Sequence, residues 1–473
     1  MPSRILLPLI VACALFMENL DSTVLSTALP AIAKDFGASP IHLKLALTSY
    51  LLALAVFIPA SGWLADRYGA RTVFRLAIAV FTLGSIACGL SNSIPEIVAA
   101  RVVQGVGGSM MMPVGRLVIL RSVPKHELVG SLAWLTIPAL VGPVVGPPVG
   151  GFITTYFDWR WIFWINVPVG ILGLVLASLF LPDIRGDDRP RFDSIGFLLS
   201  AFGLAVFITG STSLGLQLIP VGHVLGMLFV GVILIVIYVL RSRRIANPII
   251  DLSLLRIPTL GTSLLGTLLF RTGIGATPFL LPLLLQLGFG MSPFQSGMIT
   301  FASAIGAMVM KLAAPPILRR FGFRRVLVAN ALIAAAFVAL PGVFTPATPI
   351  AVMTSLLLIG GFFRSLQFTS VNALAFADVP PERMSGATTI TSVAQQLSLS
   401  IGVSVGAISL QLTVEATDGA ILPASFIPAF LVVGLITALS ALPFARLAHD
   451  AGNEVSGHRR IAPDPVTAMR DRG

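Results

Sequence analysis

Long apolar runs separated by short polar gaps occupy almost the whole chain. About 20 apolar residues cross a hydrocarbon layer of about 30 Å as a helix. Fourteen runs meet that length: 5–32, 43–63, 73–91, 94–115, 128–156, 160–181, 194–212, 219–240, 258–285, 294–317, 326–343, 349–375, 386–412 and 423–445. Runs such as Ile219–Leu240 and Ile350–Ala375 read as membrane helices and not as the core of a soluble domain. The pattern predicts an all-α polytopic membrane protein with 14 transmembrane helices.

The polar gaps carry the topology. With the N-terminus cytoplasmic, 24 of the 31 basic residues fall on inner segments, three (Lys34, Lys44, Arg160) on the outer side and four within helices. A missed or invented helix would scramble this alternation from that point on, so the bias predicts both termini in the cytoplasm. The net charge of +11 could suggest nucleic acid, yet the charges punctuate helices and form no single patch. Charged residues make up 11% of the chain against about 25% in soluble domains, which again places it in a bilayer.

Two polar cytoplasmic connections, Pro182–Asp193 and Arg241–Arg256, divide the chain. They bracket a hairpin, 194–240, that has no charge within the membrane. The expected organisation is an N-terminal six-helix bundle (1–181), a linker with an inserted two-helix hairpin (182–257), a C-terminal six-helix bundle (258–447) and a cytoplasmic tail (448–473). An internal repeat supports duplication. Leu64-Ala65-Asp66-Arg67-Tyr68-Gly69-Ala70-Arg71 recurs at an offset of 253 as Ile317-Leu318-Arg319-Arg320-Phe321-Gly322-Phe323-Arg324, with Arg319 in place of the Asp.

Charges inside spans cost about 2.5–3.5 kcal/mol each on insertion scales, so they face a cavity or a partner. Six stand out: Glu18, Asp21, Arg101, Arg271, Lys311 and Arg364. Glu18 and Asp21 are three apart, on one face of the first helix. Close carboxylates in low dielectric resist ionising together, the property a proton carrier needs. The alternative is a permanent ion pair with a buried Arg that only holds helices together. The four cations could neutralise these carboxylates, bind an anionic substrate or, as for Lys311, snorkel to a helix end. In the fifth helix Gly142, Gly146 and Gly150 form an i, i+4, i+8 stripe interleaved with Pro143, Pro147 and Pro148. Such a stripe allows close packing, and its proline density suggests a flexing interface helix.

Other chemistries find little support. Cys13 and Cys88 lie far apart in apolar runs and suggest neither a disulfide nor a metal site. No two histidines share metal-ligand spacing, so no metal and no cofactor is expected. There is no G-x-x-x-x-G-K-[ST] phosphate loop. Ile10-Val11-Ala12-Cys13 looks like a lipoprotein box, but cleavage there would destroy the first span. Trp159, Trp161 and Trp164 read as an interfacial belt.

With those residues placed, the chain resembles the fourteen-helix drug:proton antiporter branch of the major facilitator superfamily. Leu20-Asp21-Ser22-Thr23-Val24 through Ala28-Leu29-Pro30 is similar to that branch's first-helix motif. Gly62-Trp63-Leu64-Ala65-Asp66-Arg67-Tyr68-Gly69-Ala70-Arg71 resembles the cytoplasmic loop motif, Arg101 through Gly108 the fourth-helix motif, and Gly142-Pro143 to Gly150-Gly151 the antiporter motif. The resemblance implies a proton carboxylate at Asp21 tuned by Arg101 and a cytoplasmic gate at Gly62, Asp66, Arg67, Gly69 and Arg71. It also implies a hinge at Gly142, Pro143, Gly146 and Gly150.

The expected function is secondary efflux of small molecules across a bacterial inner membrane in exchange for protons, by a monomer, without nucleic-acid partners or enzymatic activity. Arg271, Lys311 and Arg364 are the expected substrate-cavity residues. The alternatives are export of an anionic metabolite and a non-transport role as membrane sensor or assembly partner.

Overall fold

The computed structural model describes residues 3–122, 141–142, 145–182, 192–213, 220–245, 248–380, 383–416, 421–448 and 450–452. Among these there is no strand, and thirteen helices are long and apolar enough to cross a membrane. The first half holds α1 (Ser3–Asp35), α2 (Lys44–Tyr68), α3 (Ala70–Leu90), α4 (Ile94–Ser122), α5 (145–156) and α6 (Asn166–Phe180). The hairpin is α7 (Ser194–Ser213) and α8 (Val221–Ser242). The second half holds α9 (Pro258–Gly275, continued by Thr277–Leu283), α10 (Pro293–Phe321), α11 (Phe323–Ala339), α12 (Ile350–Ala375), α13 (Met384–Glu415) and α14 (Phe426–Leu439). Of the fifth expected span, 128–140 and the pair 143–144 lie outside the described residues.

Local chemistry explains several boundaries. Ser292 caps α10 by accepting from the Gln295 amide, Gln295 bonds back to the Ser292 amide, and Pro293 takes the first helical position. Gly69 (φ 93°) separates α2 from α3, and Gly322 (φ 74°) separates α10 from α11. Both turns need a residue free of Cβ strain, and they stand at the repeat offset of 253. The repeat therefore has the same backbone shape in both halves. It also corrects one expectation: the loop motif is no loop. Asp66 and Arg67 lie in the last turn of α2, and Gly69 alone makes the connection.

Packing runs within each half and also between them, where α2 packs on α13. One apolar cluster joins Val11 and Leu15 of α1 to Phe74 and Phe81 of α3 and Val114 of α4. A second joins Met310, Phe323, Leu327, Leu374 and Phe444 in the C-terminal half. A third spans both halves at one end, where Leu25, Leu29 and Ile32 of α1 meet Phe279, Leu283 and Phe426. That is the outer end in the positive-inside assignment.

The hairpin sits over the seam between the halves. α7 packs on α2 and α13, with Phe57–Phe197 ring centroids 6.0 Å apart. α8 packs on α7 and leaves Phe229, Val232, Val236 and Leu240 exposed, an apolar face suited to lipid. Asp193 and Arg241 pair at 2.7 Å where the hairpin begins and ends.

Two surface expectations are corrected. Trp159 is buried, not part of a lipid-facing belt, and its Nε1 donates to Asp35 at 3.1 Å beneath the Arg160 guanidinium. Lys44, counted as an outer-loop cation, is buried in the first turn of α2.

Candidate functional site

Asp21 lies at the middle of α1 and is 3% exposed, so its carboxylate must be satisfied by protein. Three donors converge on it. Arg101 Nη1 of α4 donates to Oδ2 at 2.5 Å. Gln104 Nε2 of α4 and Asn166 Nδ2 of α6 each donate to Oδ1 at 2.9 Å. Arg101 and Gln104 are three residues apart, so one face of α4 supplies both. Their side chains are linked, Nη1 donating to Gln104 Oε1 at 2.7 Å.

The network reaches further. Arg101 Nε donates to the Ala46 carbonyl of α2 at 3.1 Å, and its guanidinium lies 4.2 Å from the Tyr50 ring centroid. Asn166 also donates to Ser85 Oγ of α3 at 3.0 Å, and Ser85 donates to the Phe163 carbonyl at 2.9 Å. One carboxylate thus ties α1 to α4 and α6, and through them to α2 and α3. Arg101 Nη2 and Tyr50 Oη are buried with no partner among the described residues.

Glu18, one turn earlier, has different surroundings. Its Oε2 is buried without a hydrogen-bond partner among the described residues. Sequence reasoning paired Glu18 with Asp21; the structure gives Asp21 the donors and leaves Glu18 one open oxygen. Gln104, Asn166 and Ser85 escape a reading of the sequence as partners. The only hint was spacing: Gln104 three residues after a buried Arg, and Asn166 at the head of an apolar run.

The glycine stripe lies against α1. A Cβ on Gly142 would fall 3.0 Å from Asn19 Cβ, on Gly146 2.0 Å from Thr23 Oγ1, and on Gly150 2.4 Å from Thr27 Oγ1. Asn19, Thr23 and Thr27 have the same i, i+4, i+8 spacing, so two matching stripes interlock. Pro143 lies outside the described residues. The next face of this helix meets the other half: a Cβ on Gly151 would fall 2.4 Å from the Pro293 carbonyl oxygen, and one on Gly297 2.2 Å from that of Pro147. Phe294 donates its amide to Thr155 Oγ1 at 3.0 Å, and Gln286 Nε2 to the Thr27 carbonyl at 3.0 Å.

The remaining expected residues are dispersed. Arg67 and Gly62 are exposed, and a Cβ at Gly62 meets nothing within 4 Å. Asp66 is half-buried, and Arg71 Nη2 donates to the Ser178 carbonyl of α6. Arg271 of α9 lies 4.4 Å from the Phe368 ring centroid, while Arg364 lines a separate hollow with Phe337 and Thr277. Lys311 is a helical position of α10 whose side chain lies outside the described residues. Among the described residues no group of three or more His, Cys, Asp or Glu could hold a metal ion.

Two helical halves related by a repeat, with a network of buried charge at mid-span, define a multi-pass membrane transport protein, not an enzyme. The chain belongs to the Major Facilitator Superfamily, whose family model matches residues 11–249 and 263–469. It is 39% identical over 463 residues to "Putative multidrug resistance protein MdtD" of Escherichia coli (strain K12), covering 95% of this chain and 96% of that one. The same figures hold for MdtD of Shigella sonnei (strain Ss046). Its fold is similar to the crystal structure of a D-xylose–proton symporter, with a TM-score of 0.66 and 17% identity over 94% of this chain and 98% of that one. The crystal structure of a mutant of the nucleoside transporter NupG follows at 0.61 and 15% identity, over 93% and 98%.

Proposed function

We propose that this carrier exports small molecules from the bacterial cytoplasm, across the inner membrane, by proton antiport, and that multidrug efflux is its role. The observation that supports this most is the Asp21 network: a carboxylate buried at mid-span, joined to α4 and α6 by donors that protonation would disrupt. Its two states differ in which helices it holds, which is what coupling a proton to a rocking motion requires.

The two carboxyls divide the work. Glu18 can take a proton on an oxygen that holds no donor among the described residues, so it is the exchanging group. Asp21 is the switch, because protonating it weakens the bond to Arg101 and frees α1 from α4 and α6. The outer contacts of α5 with α10 and of α1 with α9 belong to the state closed on that side. Gly142, Pro143, Gly146 and Gly150 let α5 roll on α1 as those contacts part, and Asp66, Arg67, Gly69 and Arg71 gate the cytoplasmic end. The functional unit is a monomer with both termini inside, divided at 1–181, 182–257, 258–447 and 448–473.

The test uses inverted vesicles with an imposed pH gradient and a panel of drugs differing in charge. Drug-triggered proton release, lost on collapsing the gradient and in Asp21→Asn and Glu18→Gln, is expected. Gradient-driven flux that survives in both variants would sink the assignment. Folded protein that moves no drug would favour the sensor reading instead.

A further inference from the structure

The two halves differ in how their mid-span charges are answered. Glu18 and Asp21 belong to the first, where Arg101 already answers Asp21. In the second, no Asp or Glu occurs between Asp251 and Asp378, yet Arg271 and Arg364 both lie in that stretch, at mid-span of α9 and α12. Neither has an acidic partner among the described residues. An uncompensated cation inside a membrane is costly, and such groups face the bundle interior or a cavity and mark substrate or ion pathways.

The surroundings are two small hollows, of about 10 and 30 Å³, which a ring-sized guest would widen. Thr267, Arg271, Ile274 and Thr277 follow one another at three- to four-residue spacing on α9; Leu357, Gly361, Arg364 and Phe368 do the same on α12. They line two hollows along one α9–α12 seam: Thr267, Arg271 and Phe368 the first, Ile274, Thr277 and Arg364 the second. Ten residues of helix make this seam about 15 Å long. Arg271 Nε, a donor, and the Thr277 hydroxyl, which can donate, are buried with no hydrogen-bond partner among the described residues. The remaining wall is aromatic. Phe270 and Phe368 meet edge to face at 5.5 Å, and Phe337 stacks on Phe363 at 5.6 Å. Open donors, two guanidiniums and flat apolar walls suit one kind of guest, with Asn372 and Ser303 as further polar groups of the lining.

We propose that the substrates of this carrier are aromatic organic anions, with the carboxylate or sulfonate held by Arg271 and Arg364 and the ring against Phe368 and Phe337. This rests on the export reading and names its substrate class. A planar acid takes two parallel bonds from a guanidinium, which a cationic drug of the same shape cannot.

The test is binding by calorimetry to the full chain in detergent, using 1-naphthoate and its cationic analogue 1-naphthylmethylammonium. No gradient is present, so a failure of proton coupling leaves this result untouched. Naphthoate is expected to bind at least about tenfold more tightly than the ammonium compound. Arg271→Gln and Arg364→Gln should each weaken naphthoate by about tenfold or more and leave the ammonium compound within about twofold. Arg271→Lys should restore part of the loss, because a point charge replaces the fork. If either glutamine variant fails to fold, Arg271→Lys and Arg364→Lys carry the test through their smaller, anion-only loss. Equal binding of the two probes, naphthoate affinity unchanged in all the variants, or wild-type protein that binds neither probe would overturn the proposal.

Discussion

Asp21 and Arg101 form a buried ion pair, and the cost of breaking such a pair differs from the cost of never having it. Removing one partner leaves the other charged and unsolvated, a penalty of about 3–5 kcal/mol. Asp21→Asn should therefore lower the thermal midpoint as well as abolish proton-driven flux; a thermal-shift assay and vesicle transport read the two effects. Glu18→Gln should separate them. Its open oxygen holds no bond among the described residues, so the midpoint should move little while proton release falls by at least about tenfold. These residues stood out in the sequence because an ionisable group in an apolar run is anomalous by itself. Gln104, Asn166 and Ser85 did not, because neutral polar side chains are common in spans and this network assembles from three different helices.

At the scale of elements, glycines that look alike do different work. A Cβ at Gly146 would meet Thr23 Oγ1 at 2.0 Å, whereas one at Gly62 meets nothing within 4 Å. Gly146→Ala should cost about 1–3 kcal/mol through overpacking, and Thr23→Gly in the same chain should recover part of it. Gly62→Ala should leave stability unchanged, so any loss of transport there reports gating. Gly69→Ala is a third case: φ 93° strains any Cβ, at a cost of about 1–2 kcal/mol. Unfolding midpoints of these variants check each expectation.

The connection after the hairpin depends on a different contact. Asp251 pairs with Arg383 at 2.7 Å and accepts from the Ser253 amide at 3.0 Å. Partial burial opposes ionisation of Asp251, but the bonds from Ser253 and Arg383 prevail and hold its carboxyl below the usual aspartate value. A lowered value means the contact contributes above the unfolded-state value, near 3.8, and is lost as pH falls through the folded one. Amide exchange in 251–256, corrected for intrinsic rate, should stay slow from neutral pH down to that region and then rise. In Asp251→Asn it should be fast throughout. The pair is half-exposed, so global stability should shift by less than about 1 kcal/mol.

For the whole molecule, the halves are in direct contact through α5 with α10 and α1 with α9, at the end that the arginine bias assigns to the outside. A disulfide between cysteines at Thr155 and Phe294, which meet at 3.0 Å between amide and hydroxyl, should lock that contact. Transport should stop on oxidation and return on reduction, measured in vesicles. Transport unaffected by a complete cross-link would mean these ends never separate.

What the sequence alone determined is what the bilayer imposes locally. Span length, the side bearing arginine and the anomaly of a mid-span charge each depend on a residue and its near neighbours, and Gly69 and Gly322 announced the duplication by recurring in register. Tertiary structure decided everything that depends on distance between helices: that, among the described residues, Asp21 is answered by three donors while Glu18 Oε2 is not, that the glycine stripe receives Asn19, Thr23 and Thr27, that Trp159 faces Asp35 and not lipid. Helix rotation and neighbour identity fix those contacts. An apolar run reads alike on every face, so its periodicity says little about which face turns inward.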